Sequence, residues 1–165
     1  MPKTSRFTHR AFIAMGANLG ERENTIRAAL ARLDAHAAVE VEAVSDLVET
    51  TPVGGPPQPN YVNAAARLKT NLAPLALLEL LHRTESHFGR RRTRRWGPRT
   101  LDLDLLLYDH VALDTPEITL PHPRMHERLF VLEPLAQVGP DAVHPTSGRT
   151  VRELLAALED EDGAP

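Results

Sequence analysis

A chain of 165 residues is long enough to bury a core without disulfides or structural metal, and 42% hydrophobic with 25% charged residues is an ordinary globular composition. The absence of cysteine excludes thiolate ligands, disulfides and a cysteine nucleophile, and no run approaches the roughly 18 apolar residues of a membrane helix. The net charge of −3 hides a local excess: six arginines fall within residues 90–99, leaving about −9 on the remainder, which suits one anionic ligand at one site and not a protein that tracks a long nucleic acid.

In chain order, residues 10–16 read as a first strand. Their apolar run follows basic residues as in a signal peptide, but it enters a charged helix with no cleavage context, so a cytoplasmic location is expected. Gly16-Ala17-Asn18-Leu19-Gly20 turns into a helix over residues 22–36, with Ile26, Leu30 and Leu33 at helical spacing and Asn18 as the expected cap. The glycines offer a phosphate cradle, yet the Lys-Ser/Thr of a P-loop is missing. A second strand is expected over residues 39–49. The next stretch, to residue 60, holds four prolines and two glycines, which forbid regular structure.

A third strand over residues 61–70 precedes a helix over 74–88, opened by Pro74 in its first turn, carrying Leu77, Leu78, Leu81 and Glu85 on neighbouring turns, and closed by Gly89. After the arginine run and a further strand come a short strand at 111–113, a loop or turn at 122–128 and a helix at 130–138. The last helix starts at Thr150, where Thr-Val-Arg-Glu is a capping box; residues 159–165 are expected to fray. The pattern predicts one domain over residues 1–165, an α+β sandwich of ferredoxin-like type with a largely antiparallel sheet and helices packed on it.

The most informative segment is Arg99-Thr100-Leu101-Asp102-Leu103-Asp104-Leu105-Leu106-Leu107. With the period of a strand, Leu101, Leu103, Leu105 and Leu107 share one face, and Asp102, Asp104 and Leu106 share the other. Two neighbouring carboxylates on a half-buried strand repel and resist desolvation unless neutralised, as by a hard divalent cation. Alternating aspartates are most often a solvated edge face, but Leu105-Leu106-Leu107 is apolar on both sides and marks an interior strand. Arg90-Arg91-Arg92-Thr93-Arg94-Arg95-Trp96-Gly97-Pro98-Arg99 lies just upstream and suits a polyphosphate. Acid pair and arginine loop together point to metal-nucleotide chemistry. Tyr61, Trp96 and Phe130 are scarce aromatics flanking these segments, available either to the core or to a flat heteroaromatic ring. A basic RNA-binding module and a magnesium-dependent phosphohydrolase remain as rival readings; the acids and the single basic cluster speak against the first, the aromatic pair against the second.

Arg95-Trp96-Gly97-Pro98-Arg99-Thr100-Leu101-Asp102-Leu103-Asp104 resembles the signature of the 6-hydroxymethyl-7,8-dihydropterin pyrophosphokinases. Gly16–Gly20, Thr50-Thr51-Pro52-Val53-Gly54, Gln58-Pro59-Asn60-Tyr61-Val62-Asn63-Ala64, Glu85 before Gly89, and Pro121-His122 followed by Arg128 and Phe130 resemble further family segments in order, so the likeness spans nearly the whole chain. It implies transfer of pyrophosphate from ATP to a pterin alcohol in folate biosynthesis, by a monomer that uses neither nucleic acid nor membrane. It implies two Mg2+ ions on Asp102 and Asp104, with Arg90 and Arg92 acting on the transferred group. It further implies that Glu85, Arg92, Trp96, Arg99, Thr119, His122 and Arg128 serve ATP, and that Thr50, Pro52, Val53, Tyr61, Asn63, Trp96 and Phe130 serve the pterin. Within that set Tyr61 and Phe130 stack on the ring, and Trp96 rides a loop that closes over the site. The arginine loop is one residue shorter than the family pattern, which leaves Arg91 and Arg92 both open as the second phosphate contact. Pro123 and Glu117 depart from that pattern too, and leave the adenine and ribose contacts open.

Overall fold

The computed structural model describes residues 7–17, 21–50, 61–88 and 101–163. In chain order the elements are β1 (His9–Ala17), α1 (Arg22–Ala35), β2 (Val39–Val44), β3 (Val48–Thr50), β4 (Tyr61–Thr70), α2 (Pro74–His87), β5 (Asp102–Tyr108), β6 (Leu113–Asp114), β7 (Thr119–Leu120), a 3-10 turn (Met125–Glu127), α3 (Leu129–Val138) and α4 (Val151–Gly163). The main sheet runs β2-β4-β1-β5, with β3 also on β4, and every pairing in it is antiparallel. With β2 and β3 counted as one interrupted strand, this is the split βαβ order of a ferredoxin-like sheet.

Strand alternation divides the apolar residues between two cores. Ala11, Ile13, Met15 and Ala17 of β1, with Val62, Ala64, Ala66 and Leu68 of β4 and Leu101, Leu103 and Leu105, meet Ile26, Leu30 and Leu33 of α1 and Leu77 and Leu81 of α2. On the opposite face Phe12, Ala65, Leu106 and Leu107 meet Val131, Leu132, Leu135 and Val138 of α3 and Val151 and Leu154 of α4. Each of these large side chains contributes about 1.5–3 kcal/mol when fully buried. Gly139 closes α3 against the Phe12 ring, where a Cβ has no room.

Several local expectations are corrected. The strand expected over residues 39–49 is broken at Ser45, whose hydroxyl accepts the Ala65 N–H at 2.8 Å while its own N–H donates to Ala65 O, so side-chain bonding replaces one rung of the ladder. The Asp-bearing strand is not interior, since among the described residues β5 ends the strand order and its leucines are buried by helix layers on both faces rather than by a strand on each side. Nor does it alternate to its end, because Phe12 faces Leu107 and Ile13 faces Leu105, so Leu106 is the extra residue of a β-bulge. Leu106 and Leu107 therefore both join the α3 core, and Tyr108 returns to the α2 side. Asn18 lies outside the described residues, and Glu21 occupies the N-cap of α1. The short strand expected at 111–113 is Leu113–Asp114, paired with β7. At the C-terminal end Thr150 and Glu153 exchange the hydrogen bonds of a capping box, and α4 runs to Gly163, into the stretch expected to fray.

Candidate active site

Register across the sheet assembles the site. Gly16 of β1 is flanked by Asn63 of β4 and Asp102 of β5, and Ala14 by Ala65 and Asp104. These residues share the face on which α3 packs. Strands lie about 4.8 Å apart, so Asn63 and Asp102 sit roughly 10 Å from each other with only glycine between them. A Cβ at Gly16 would meet Asn63 Oδ1 at 3.4 Å and Tyr61 Cδ1 at 3.9 Å, so the glycine keeps this gap open. A cavity of about 410 Å3 occupies it, lined by Gly16, Thr50, Tyr61, Asn63, Asp102, Asp104, Arg128 and Phe130. Seven of the twelve lining residues are ones that the sequence assigned to the site. Gly16 is among the five additions, with Ala14, Met15, Ala64 and Val131, and a glycine inside an otherwise apolar strand is the signal that marks it.

The two ends of the cavity differ in chemistry. At one end Asn63 Nδ2 donates to Thr50 Oγ1 at 2.6 Å, which fixes the amide and turns its carbonyl oxygen toward Gly16. Tyr61 stands two residues away on the same face of β4, and Phe130, 46% exposed, projects from the first turn of α3. A ring left half-exposed beside a cavity is surface available to a ligand. Arg128 holds the N-cap position of α3 with its Cζ 5.8 Å from the Phe130 ring centre. The helix thus points its positive end into the cavity, with a guanidinium beside it, an arrangement that favours phosphate.

At the other end stand the acids. Asp102 is partly buried and Asp104 exposed, both on the cavity face. Among the described residues no group of three or more His, Cys, Asp or Glu gathers to hold a metal. A cation held by two carboxylates takes its remaining oxygens from substrate and water, which is how magnesium binds polyphosphates. His122 is beside Asp104: burial pushes its pKa below the ordinary histidine value, Asp104 pulls it up, and Arg128 and Arg124 push it down. The ring is therefore neutral at pH 7. Arg124 N–H donates to its Nδ1 at 3.3 Å, which leaves the proton on Nε2 as a donor. His122 N–H in turn donates to Leu106 O at 2.9 Å and ties this loop to β5. His122 and Thr119 line a second opening of about 610 Å3 that also includes Pro121, His126 and His144.

Glu85 differs from the rest. It lines neither opening, is 3% exposed, and accepts the Leu103 N–H at 2.7 Å beneath the site. Pro52, Val53, Arg90, Arg92, Trp96 and Arg99 lie outside the described residues, as does Arg91.

A sequence model of the family described as 7,8-dihydro-6-hydroxymethylpterin-pyrophosphokinase (HPPK) matches residues 12–140. The chain belongs to this family. A Bacillus subtilis relative named 2-amino-4-hydroxy-6-hydroxymethyldihydropteridine pyrophosphokinase is 51% identical over 153 residues, which cover 93% of this chain and 87% of the relative. A Pseudomonas aeruginosa protein of the same name is 47% identical over 152 residues, covering 92% and 93%. Among solved structures, Plasmodium falciparum HPPK-DHPS with pteroate superposes with a TM-score of 0.74 at 13% identity, over 96% of this chain and 44% of that one. The chain thus spans less than half of that solved chain, and a likeness at this identity speaks for the fold alone. Among the described residues no helix is long and apolar enough to cross a membrane.

Proposed function

We propose that the chain carries out its family's reaction in the cavity over Gly16, transferring the pyrophosphoryl group of ATP to the hydroxymethyl oxygen of 6-hydroxymethyl-7,8-dihydropterin. The observation that supports this most is that one cavity joins a polar, aromatic end to an end with paired carboxylates. The pterin lies over Gly16 between Tyr61 and Phe130, with its amide-like edge on Asn63. Thr50 acts by holding that amide in one orientation. Because an unpaired buried amide is costly, this edge discriminates against rings that cannot complete the hydrogen bonds.

Asp102 and Asp104 fit a hard divalent cation as oxygen donors two residues apart on one face, and are the residues that would hold two Mg2+ ions beside ATP. When bound, the metal neutralises phosphate charge and orients the attacking and leaving oxygens. Arg128, the start of α3 and the Nε2–H of His122 supply donors to the phosphates. The hydroxymethyl oxygen forms a bond to the β-phosphorus, the bond from that phosphorus to the α–β bridging oxygen breaks, AMP leaves with that oxygen, and the hydroxyl proton passes to solvent. Arg90 and Arg92 on the transferred group, Arg99 and Thr119 with ATP, and Trp96, Pro52 and Val53 around the ligands rest on the family resemblance, whereas Glu85, buried beneath the acids and lining neither opening, is not taken as an ATP contact. A monomer as the working unit rests on the family resemblance, and ATP as co-substrate supports a cytoplasmic location.

Calorimetry tests the reading: α,β-methylene ATP should bind in a magnesium-dependent manner, and the pterin should bind tightly only after it. With ATP in place of the analogue, AMP and the pterin diphosphate should form in equal amounts. Release of inorganic phosphate without a pterin product would overturn the assignment.

A further inference from the structure

The chain buries a carboxylate under its acid pair. Glu85 sits in the last turn of α2 at 3% exposure, on the helix face that also carries Leu77 and Leu81. A buried carboxylate is costly unless it is hydrogen-bonded, and this one accepts the backbone N–H of Leu103 at 2.7 Å, the length of a charge-assisted bond. Leu103 is the residue between Asp102 and Asp104. Its side chain is sealed in the α1/α2 core while its two neighbours face the cavity. β5 ends the strand order and has β1 as its only strand partner in the main sheet among the described residues. An edge strand held from one side twists and frays readily. Here the peptide joining Asp102 to Leu103 is clamped by Glu85, and Leu106, beyond the second acid, is clamped by the His122 N–H.

We propose that Glu85 is a positioning residue for the metal-binding acids: it makes no contact with ligand, and fixes the β5 backbone so that Asp102 and Asp104 present their carboxylates at one spacing. This rests on the magnesium-nucleotide reading of the site. Outer partners that orient metal ligands are worth about 10–100-fold in metal affinity. A side chain that only fills the core would instead register in stability.

The test measures Mn2+ affinity by electron paramagnetic resonance in the presence of α,β-methylene ATP, alongside thermal melts, for the intact chain and three variants. Glu85→Gln keeps an acceptor and should hold Mn2+ affinity within about threefold. Glu85→Leu removes the acceptor and should weaken it by about 10–100-fold, with a parallel rise in the Mg2+ concentration for half-maximal turnover and an unchanged KM for the pterin. If Glu85→Leu does not fold, Glu85→Asp withdraws the acceptor by one methylene and should weaken Mn2+ in the same direction. Native Mn2+ affinity in Glu85→Leu or Glu85→Asp, with only the melting temperature altered, would overturn the inference. So would a Glu85→Gln variant that loses as much as Glu85→Leu, since the site would then use the charge and not the hydrogen bond. An unsubstituted chain that binds no Mn2+ with the nucleotide would instead defeat the metal reading itself.

Discussion

Replacing Phe130 with alanine separates a ligand surface from a core residue. A phenylalanine buries roughly 200 Å2 when fully enclosed, and Phe130 is 46% exposed, so about 90 Å2 remains for a ligand to cover. At about 25 cal/mol per Å2 that is about 2 kcal/mol, within the roughly 1–3 kcal/mol of a lost stacking partner. It corresponds to roughly a thirtyfold weaker pterin Kd. The measurement is titration of the pterin into the protein saturated with Mg2+ and α,β-methylene ATP, paired with titration of the nucleotide alone. The nucleotide Kd should stay within about twofold, because Arg128 and the start of α3 remain in place, and the melting temperature should fall by only a few degrees. Equal losses for both ligands would mean that Phe130 serves packing, and an unchanged pterin Kd would remove the ring from the site.

Asp102→Asn or Asp104→Asn should lower kcat by about a thousandfold, about 4 kcal/mol of lost transition-state stabilisation, with an unaltered circular dichroism spectrum; near-normal turnover in either would refute the metal assignment. Gly16→Val should fill the gap between Asn63 and Asp102 and weaken the pterin by about tenfold or more, while a β-branched residue in a strand leaves the melting temperature equal or higher; an unchanged pterin Kd would move the ring elsewhere. Burial, and then the neighbouring His126, push the His144 pKa below its ordinary value, and its Nδ1 accepts the Ser147 N–H at 3.1 Å. The unfolded chain therefore binds a proton that the folded one resists, so this stability is complete above the unfolded value near pH 6.5 and is lost as pH falls below it. Melts from pH 7.5 to 5 should show a shallower acid decline in His144→Gln, and an identical slope would contradict the shift.

Elements governed by local chemistry were legible from residues alone. The strand at 61–70 and the start of the helix at Pro74 fall where alternation and the first-turn proline place them, and the Thr150–Glu153 box forms as written. The failures come from long-range bonds that leave no periodic trace. Ser45 breaks a strand only because Ala65, 20 residues on, offers its N–H. The bulge at Leu106 is invisible in a run of leucines, where either face accepts any of them. The same holds within the site. Thr50, Asn63 and Arg128 share a cavity because the register of β1 with β4 and the docking of α3 bring them together; the sequence names them only through the family resemblance, while residue chemistry by itself singles out Asp102 and Asp104 and the aromatics Tyr61 and Phe130. Glu85 reads as one more polar residue on an apolar helix face, and the direction of its carboxylate is set by a strand 18 positions later.

The floor and the walls of the cavity differ in how deeply they are woven into the molecule. Ala14 and Gly16 belong to β1, which is paired on both sides, so their amides should exchange with solvent only through global unfolding. Arg128 and His122 sit on a helix cap and a loop, which open locally at lower free energy. In hydrogen-exchange mass spectrometry, ligand should therefore slow peptides spanning 119–131 while leaving 11–17 at its already slow rate. A binder that stiffens only the walls draws its entropic cost from them alone, which gives an inhibitor that preorders this segment a route to affinity without any added contact to the floor.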